Sequence, residues 1–247
     1  MILTAPGLSV IIRGIEEARR TFDRMMGYAY YRIAMTITIM LFVVLVMVVS
    51  STQVLTPIMI ILLALLDDVP VMLIAFDNAK VSPRPSKWDK HRVLLVSSML
   101  ALLGVVQSVG LLHYVRHMSN IELPVVQTCM FMQLVIAGHL LLFSTRSRGF
   151  FFQRPFPEWK LFCAIMGTQL FAALMAANGW LVTAISWRLI GLVWVYNLVW
   201  LFVIDAIKVA LFHHCDVRET GVSQWHRWIH MPLDGFRGRL RTLARAE

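Results

Sequence analysis

Six apolar segments, each long enough to cross a bilayer, alternate with polar connections along this chain. At about 1.5 Å of rise per residue, a helix of about 20 residues covers the roughly 30 Å hydrocarbon core of a membrane. The pattern therefore predicts an all-α membrane protein with six transmembrane helices. The predicted spans are Tyr31–Val49, Pro57–Phe76, Val93–Tyr114, Leu123–Phe143, Leu161–Ala177 and Leu189–Phe212.

The segment before the first span, residues 8–30, is polar but has apolar residues at helical spacing. No proline separates it from the first span, so one continuous helix of about 40 residues is predicted, emerging about 30 Å from the membrane. Such a stalk implies either a missing partner domain on which it packs or a solvent-exposed helix, and we expect the partner domain.

Two adjacent carboxylates, Asp67 and Asp68, interrupt the second apolar segment. An anion at that depth costs several kcal/mol, so it must be paired, face water or carry a proton. Adjacent carboxylates also repel, which favours a neutral form of at least one. Pro70 lacks an N–H and clashes with the carbonyl of Leu66, which predicts a kinked or unwound helix. An acid beside a broken helix is typical of an ion-translocating site; the alternative is a structural, hydrogen-bonded acid.

Other polar residues within the spans have two interpretations each. His139, beside Gly138, predicts either a hydrogen bond between helices or a place on a proton pathway. Asp205 and Lys208 are three residues apart near the end of the last span, which predicts an ion pair at the membrane surface.

Composition and charge agree with a membrane protein: 58% of residues are hydrophobic and only 15% are charged, whereas soluble domains average about 25% charged. The net charge is +9, and Lys and Arg concentrate in alternate connections, including the loops 77–92 and 144–160. By the positive-inside rule both termini and these loops are predicted to be cytoplasmic. The alternation explains the basic charge, so nucleic-acid binding is not predicted. The three cysteines show no C-x-x-C spacing, which argues against a zinc site or a disulfide framework.

Several segments resemble the plasma-membrane-type (type III) proton-exporting P-type ATPases. ILTAPGLSVII resembles the exit from the phosphorylation domain, and ARRTFDRMMGYAYYRIAMTI the stalk and fifth transmembrane helix. LLALLDDVPVMLIAFDNAKVSPRPSKW resembles the sixth helix and its following loop, and AGHLLLFSTRSRG the eighth helix. The resemblance covers nearly all of residues 2–212.

The resemblance implies ten transmembrane helices in the whole pump, of which this chain has the last six. Residues 1–30 would be the stalk segment at the end of a phosphorylation domain, 31–212 the transport domain, and 213–247 a basic cytoplasmic tail. The DKTGT, TGE and GDGxNDxP motifs are absent from this sequence. The chain is thus expected to be the product of a split gene, a truncated gene or a fragment, and ATP and Mg²⁺ are expected only on the missing amino-terminal catalytic half. No ATPase activity is expected of the chain alone.

The family's proton-binding carboxylate falls on Asp68, and Asp67 stands where many members have Asn or Ala. Thr38 stands where members often have a His or Arg facing the acid. The nearest cation on that helix, Arg32, is about two turns away toward the cytoplasm, so a neutralising partner for Asp68 is not evident from the sequence.

The resemblance implies proton translocation across the cell membrane, with Asp68 and Asp67 as the proton-binding residues and Thr38, His139 and Pro70 as possible pathway or supporting residues. The alternatives are an inactive remnant, a structural membrane partner, or a pump for another cation. Mg²⁺ and Ca²⁺ prefer about six or more oxygen ligands, and these spans have few polar side chains, which favours the proton.

Overall fold

A computed structural model describes residues 8–78, 88–117, 121–147, 149–153 and 156–229, with side chains from Ile12 to His214 within those ranges. The described residues form six α-helices, one 3₁₀ turn at Ile74–Phe76, and no strand. This confirms the predicted all-α class. The helices are α1 (Leu8–Ser50), α2 (Pro57–Leu73), α3 (Lys90–His117), α4 (Leu123–Thr145), α5 (Trp159–Asn178) and α6 (Trp187–Ile229).

All six helices are long and apolar enough to cross a membrane, as predicted, and the protein is a multi-pass membrane protein. The stalk and first span are one helix, since α1 continues for 43 residues without interruption. The last helix is longer than predicted, because α6 continues past Phe212 to Ile229. The chain divides into two compact units, Met1–Val209 and Ala210–Glu247. The rest of the predicted tail, residues 230–247, lies outside the described residues.

α4 lies at the centre of the first unit and packs against α1, α2, α3 and α5. Within its apolar segment 78% of residues are buried, against 28% for α1 and for α2. The outer helices instead expose apolar side chains, as expected where a helix faces lipid or another protein.

The ends of α2 and α5 follow from local sequence. Thr56 precedes α2, and its hydroxyl accepts a hydrogen bond from the Met59 N–H at 3.4 Å, while Pro57 occupies the first turn, where its missing N–H costs nothing. α5 ends at Asn178, and Gly179 has φ +75°, in the left-handed region that glycine tolerates.

A chain of buried amides joins three helices inside the bundle. Gln107 on α3 donates to Asn197 on α6 at 2.9 Å, and Asn197 donates to Gln133 on α4 at 2.7 Å. The Tyr196 hydroxyl also donates to the Gln107 carbonyl at 2.7 Å. In a membrane, such interhelical hydrogen bonds contribute about 0.6 to 2 kcal/mol each, so these polar residues have a structural role.

Candidate ion-binding site

The two adjacent carboxylates of α2 face different surroundings. Successive residues of a helix point about 100° apart. Asp67 points into the bundle and is only 3% exposed. Asp68 lies on the outer face of the first unit, where its side chain is 56% exposed. The pair therefore forms two distinct sites on one turn of helix.

Asp68 has a cationic partner, contrary to what the sequence indicated. The Arg32 guanidinium on α1 lies 3.5 Å from the Asp68 carboxylate (Nη1 to Oδ1), and the Arg32 side chain is 46% exposed. A count of turns along α1 placed Arg32 too far away because it ignored the length of the arginine side chain, which reaches across to α2.

Asp67 lies between α1 and α4. Its Oδ1 atom is 3.5 Å from His139 Nε2. Its carboxylate packs over Gly138, where an added Cβ would lie 3.3 Å from Oδ1. The Tyr31 hydroxyl on α1 faces the same carboxylate. Among the described residues, neither Asp67 Oδ1 nor the Tyr31 hydroxyl has a partner in hydrogen-bond geometry.

Pro70 does not unwind the helix. A kinked helix and an unwound helix were the two predicted outcomes, and the second is not observed. α2 remains α-helical through Pro70 to Leu73 and then tightens into the 3₁₀ turn. Pro70 still leaves the Leu66 carbonyl without its usual donor four residues later. His139 Nε2 from α4 lies 3.4 Å from that carbonyl, so the predicted helix-to-helix contact of His139 compensates for the proline.

Thr38 is not brought to the acid pair. Its hydroxyl donates to the Ala34 carbonyl at 2.8 Å and approaches the Ala101 carbonyl at 3.3 Å. Its side chain also packs against Gly104 on α3. Thr38 therefore faces α3 and joins it to α1, whereas Arg32 is the α1 residue that contacts Asp68.

Asp205 and Lys208 do form an ion pair, at 2.7 Å, but it is buried and not at the surface as predicted. Lys208 also donates to the carbonyls of Ser144 and Gly149, both at 2.7 Å. Asp205 accepts bonds from the Ser144 hydroxyl and the Phe151 N–H. The pair thus fastens the segment after α4 to α6, and it uses all three ammonium hydrogens of Lys208 and both carboxylate oxygens of Asp205.

A second polar cluster, which the sequence did not reveal, surrounds Asp77 just after α2. Arg146, at the end of α4, donates to Asp77 Oδ2 at 2.9 Å, and Arg24 of α1 donates to the Asp77 carbonyl at 2.7 Å. The Glu158 N–H, before α5, donates to Asp77 Oδ1 at 3.0 Å, and Asn78 donates to the Glu158 side chain. The only sequence signal was the position of Asp77 and Arg146 directly after apolar segments. The next residues of this loop, 79–87, lie outside the described residues.

Within the part of the chain that the structure describes, no group of three or more His, Cys, Asp or Glu side chains is arranged to hold a metal ion. The chemistry available at α2 is therefore that of two carboxylates, one beside a guanidinium and one beside an imidazole and a phenol. These groups can bind, hold and release protons.

Several known proteins are similar to this chain over most of its length. "Putative cation-transporting ATPase" of Methanocaldococcus jannaschii is 37% identical over 217 residues, which is 88% of this chain and 27% of the relative. "Probable proton ATPase 1A" of Leishmania donovani is 30% identical over 87% of this chain and 26% of the relative. "Plasma membrane ATPase 1" of Saccharomyces cerevisiae is 31% identical over 73% of this chain and 20% of the relative. No protein-family model matches the chain.

These relatives confirm the resemblance found in the sequence. The chain has six helices long and apolar enough to cross a membrane, and the first of them is 43 residues long. Over most of its length the chain is homologous to plasma-membrane and cation-transporting P-type ATPases, as expected of the carboxyl-terminal membrane half of such a pump. The chain spans about a quarter of the length of the curated relatives that it matches.

Proposed function

We propose that this chain is the transport part of an ATP-driven proton exporter, with Asp68 as the carboxylate that takes up and releases the proton. The observation that carries the proposal is the Arg32–Asp68 pair. In it an ionisable acid within the apolar span lies 3.5 Å from a permanently charged guanidinium. Asp68 lies about 12 Å along the helix from Phe76, inside the apolar span. Ionisable residues at such depth are rarely retained without a function.

Contact with the Arg32 guanidinium determines whether Asp68 takes up or releases the proton. Arg32 remains charged under all ordinary conditions, so it stabilises Asp68 as the anion whenever the two side chains are in contact. Uptake of a proton by Asp68 removes that attraction and lets the side chains separate. Return of Arg32 to Asp68 then favours release of the proton. A movement of α1 that opens and closes this contact would couple the stalk to proton binding.

The outer face that carries this pair needs a protein partner. A charged pair costs several kcal/mol or more when it faces lipid. Around it, α2 exposes large apolar side chains, including Ile61 (67%), Leu65 (63%) and Met72 (75%). We propose that the amino-terminal half of the pump, with its catalytic domains and its ATP and Mg²⁺ sites, covers this face. Without that half, the chain is not expected to hydrolyse ATP.

The rival functions make different demands on the same site. A pump for a metal cation would have to bring the ion beside Arg32, whose charge repels it by Coulomb's law. A proton avoids that repulsion, because it neutralises the carboxylate when it binds. A structural remnant would tolerate loss of the Asp68 carboxyl without any effect on transport.

The proposal can be tested in a chimera. The matching membrane region of Plasma membrane ATPase 1 of Saccharomyces cerevisiae is replaced by residues 2–212 of this chain. Inside-out membrane vesicles are then assayed for ATP-driven acidification with a pH-sensitive dye, with the unaltered yeast protein as the positive control. We expect acidification that depends on ATP. A chimera that is folded and hydrolyses ATP but moves no protons would contradict the proposal.

We further propose that the chain lies in the cell membrane with both termini and the two long loops in the cytoplasm. In a background without the native cysteines, single cysteines at Ser82, Gly149 and Gly221 should react with an impermeant thiol reagent only from the cytoplasmic side. A cysteine at Gln53, in the short connection between α1 and α2, is the matched control and should react only from outside. Labelling of any of the first three from outside would overturn this orientation.

A further inference from the structure

A second set of protonatable side chains lies on the buried side of α2, whereas Asp68 lies on its exposed side. It consists of Asp67, Tyr31 and His139, and these side chains are 3%, 0% and 0% exposed. Each has a buried polar atom without a hydrogen-bond partner among the described residues: Asp67 Oδ1, Tyr31 Oη and His139 Nδ1. Three such atoms in one interior cluster are unusual, because a buried polar atom without a partner is destabilising.

The cluster is enclosed by tight packing. Gly138 allows the Asp67 carboxylate to approach α4, since a Cβ there would lie 3.3 Å from Oδ1 and 2.9 Å from the end of Met35. α5 also packs against α2, and it has no ionisable residue between Ile165 and Asn178. Apart from its own three members, the charged groups near the cluster are Arg32 and Asp68, and these face each other on the outer side.

One proton in this cluster is assigned from its hydrogen-bond geometry. We assign the hydrogen of the neutral imidazole to His139 Nε2, because the Leu66 carbonyl at 3.4 Å can only accept a hydrogen bond. That same nitrogen is 3.5 Å from Asp67 Oδ1. The imidazole therefore has one N–H between two acceptors, a carbonyl and a carboxyl, at nearly equal distances.

An ionised Asp67 would be an uncompensated charge inside the bundle. Its neighbour Arg32 is held by Asp68, and a neutral imidazole offers it only a long contact. Burying an ionised carboxylate under such conditions is strongly unfavourable, whereas a protonated carboxyl is neutral and can donate to a neighbour. A neutral Asp67 also removes the repulsion that adjacent carboxylates would otherwise have.

We propose that Asp67, His139 and Tyr31 form a second proton-binding site, which holds one proton at neutral pH and exchanges it independently of Asp68. Its proton is carried by the Asp67 carboxyl. When that proton leaves to water, the Nε2–H of His139 moves from the Leu66 carbonyl to the new carboxylate. The carbonyl that Pro70 leaves without a helical donor then loses the hydrogen bond from His139, and α2 loosens beside the outer site. Proton occupancy inside the bundle thereby controls the rigidity of the helix that carries Asp68.

Infrared spectroscopy of the purified full chain in lipid nanodiscs tests this site without any catalytic partner. The chain has 14 carboxylic side chains, and those in water are ionised at neutral pH. We expect the carbonyl stretch of a protonated carboxylic acid at neutral pH. The band should disappear in Asp67→Asn and persist in the matched variant Asp68→Asn. Absence of the band from the wild-type chain, or its loss in Asp68→Asn with retention in Asp67→Asn, would overturn the proposal.

A second measurement keeps the test valid if Asp67→Asn does not fold. Incorporation of ¹³C-labelled aspartate into the wild-type chain should shift the same band, and labelled glutamate should not. His139→Gln should change the frequency of the band and the pH at which it is lost, because the side chain that contacts the carboxyl is altered. A band that shifts with neither the labelled aspartate nor the His139→Gln substitution would contradict the proposed site. Because no transport is measured, a negative result here is distinguishable from failure of the proposed pump.

Discussion

Asp68→Asn is expected to reduce ATP-driven proton transport by the chimera to the background rate. Asparagine has the same shape as aspartate and keeps the packing of the outer face of α2, but its amide cannot take up and release a proton near neutral pH. Arg32 would also lose its anionic partner at 3.5 Å and remain a lone charge at membrane depth. Vesicle acidification, corrected for the amount of folded chimera, measures the effect.

Asp67→Asn is the matched control, since it makes the same chemical change one residue away. It should be much milder, because an amide resembles the protonated carboxyl that we propose for the interior site. Normal transport by Asp68→Asn together with loss in Asp67→Asn would reverse the two roles. Normal transport by both variants would make the pair structural, and His139 would become the next candidate for proton binding.

Lys208→Ala is expected to destabilise the folded chain by about 3–5 kcal/mol, because it leaves Asp205 as an unpaired charge in the interior. The Lys208 side chain is 0% exposed, and its ammonium makes three bonds at 2.7 Å, one to Asp205 and two to carbonyls on either side of the α4 terminus. Loss of these bonds should release the segment after α4 from α6. Thermal unfolding in detergent, followed by helix content, measures the change.

Two variants separate the loss of the pair from a general effect of losing a lysine or arginine. Arg188→Ala removes an exposed cation near the start of α6 and should change stability by no more than about 0.5 kcal/mol. The double variant Asp205→Asn with Lys208→Met leaves no buried charge and should cost less than Lys208→Ala alone. A Lys208→Ala chain as stable as Arg188→Ala would show that the buried pair has little structural importance.

The membrane fold was predictable because it depends on local sequence. A bilayer leaves each apolar segment of about 20 residues little choice except to form a helix, and the apolar segments mark all six. The continuity of α1 followed from the lack of proline between residues 8 and 50. The longer α6 was not predicted, since the polar residues after Phe212 do not end a helix by themselves and no proline or glycine stops it there.

The acid pair was found from sequence, but its division into an outer and an inner site was not. Helical spacing shows that Asp67 and Asp68 point in different directions, yet it cannot show which direction meets the rest of the bundle. Arg32 was missed because its contact joins two helices through a long side chain. The effect of Pro70 was partly wrong, because His139 from α4 supplies a substitute partner for the Leu66 carbonyl, and a single segment cannot reveal that compensation.

The contacts around Asp77 and Lys208 were missed for a related reason. Both were interpreted from their neighbours in sequence, as part of a solvated loop and as a surface ion pair. Their burial depends on segments more than 50 residues away: Arg24 and Arg146 for Asp77, and the residues after α4 for Lys208. Contacts at that separation are fixed by how the helices pack, which composition and periodicity do not determine.

The most direct test of proton transport through Asp68 is the cation requirement of the chimera. ATP-driven acidification is measured in vesicles prepared with choline salts and free of Na⁺ and K⁺, with only the Mg²⁺ needed for ATP and with a calcium chelator present. We expect acidification at the full rate under these conditions and none with Asp68→Asn. Transport that begins only when Na⁺, K⁺ or Ca²⁺ is added, or acidification at the full rate with Asp68→Asn, would contradict a proton pump that works through this carboxylate.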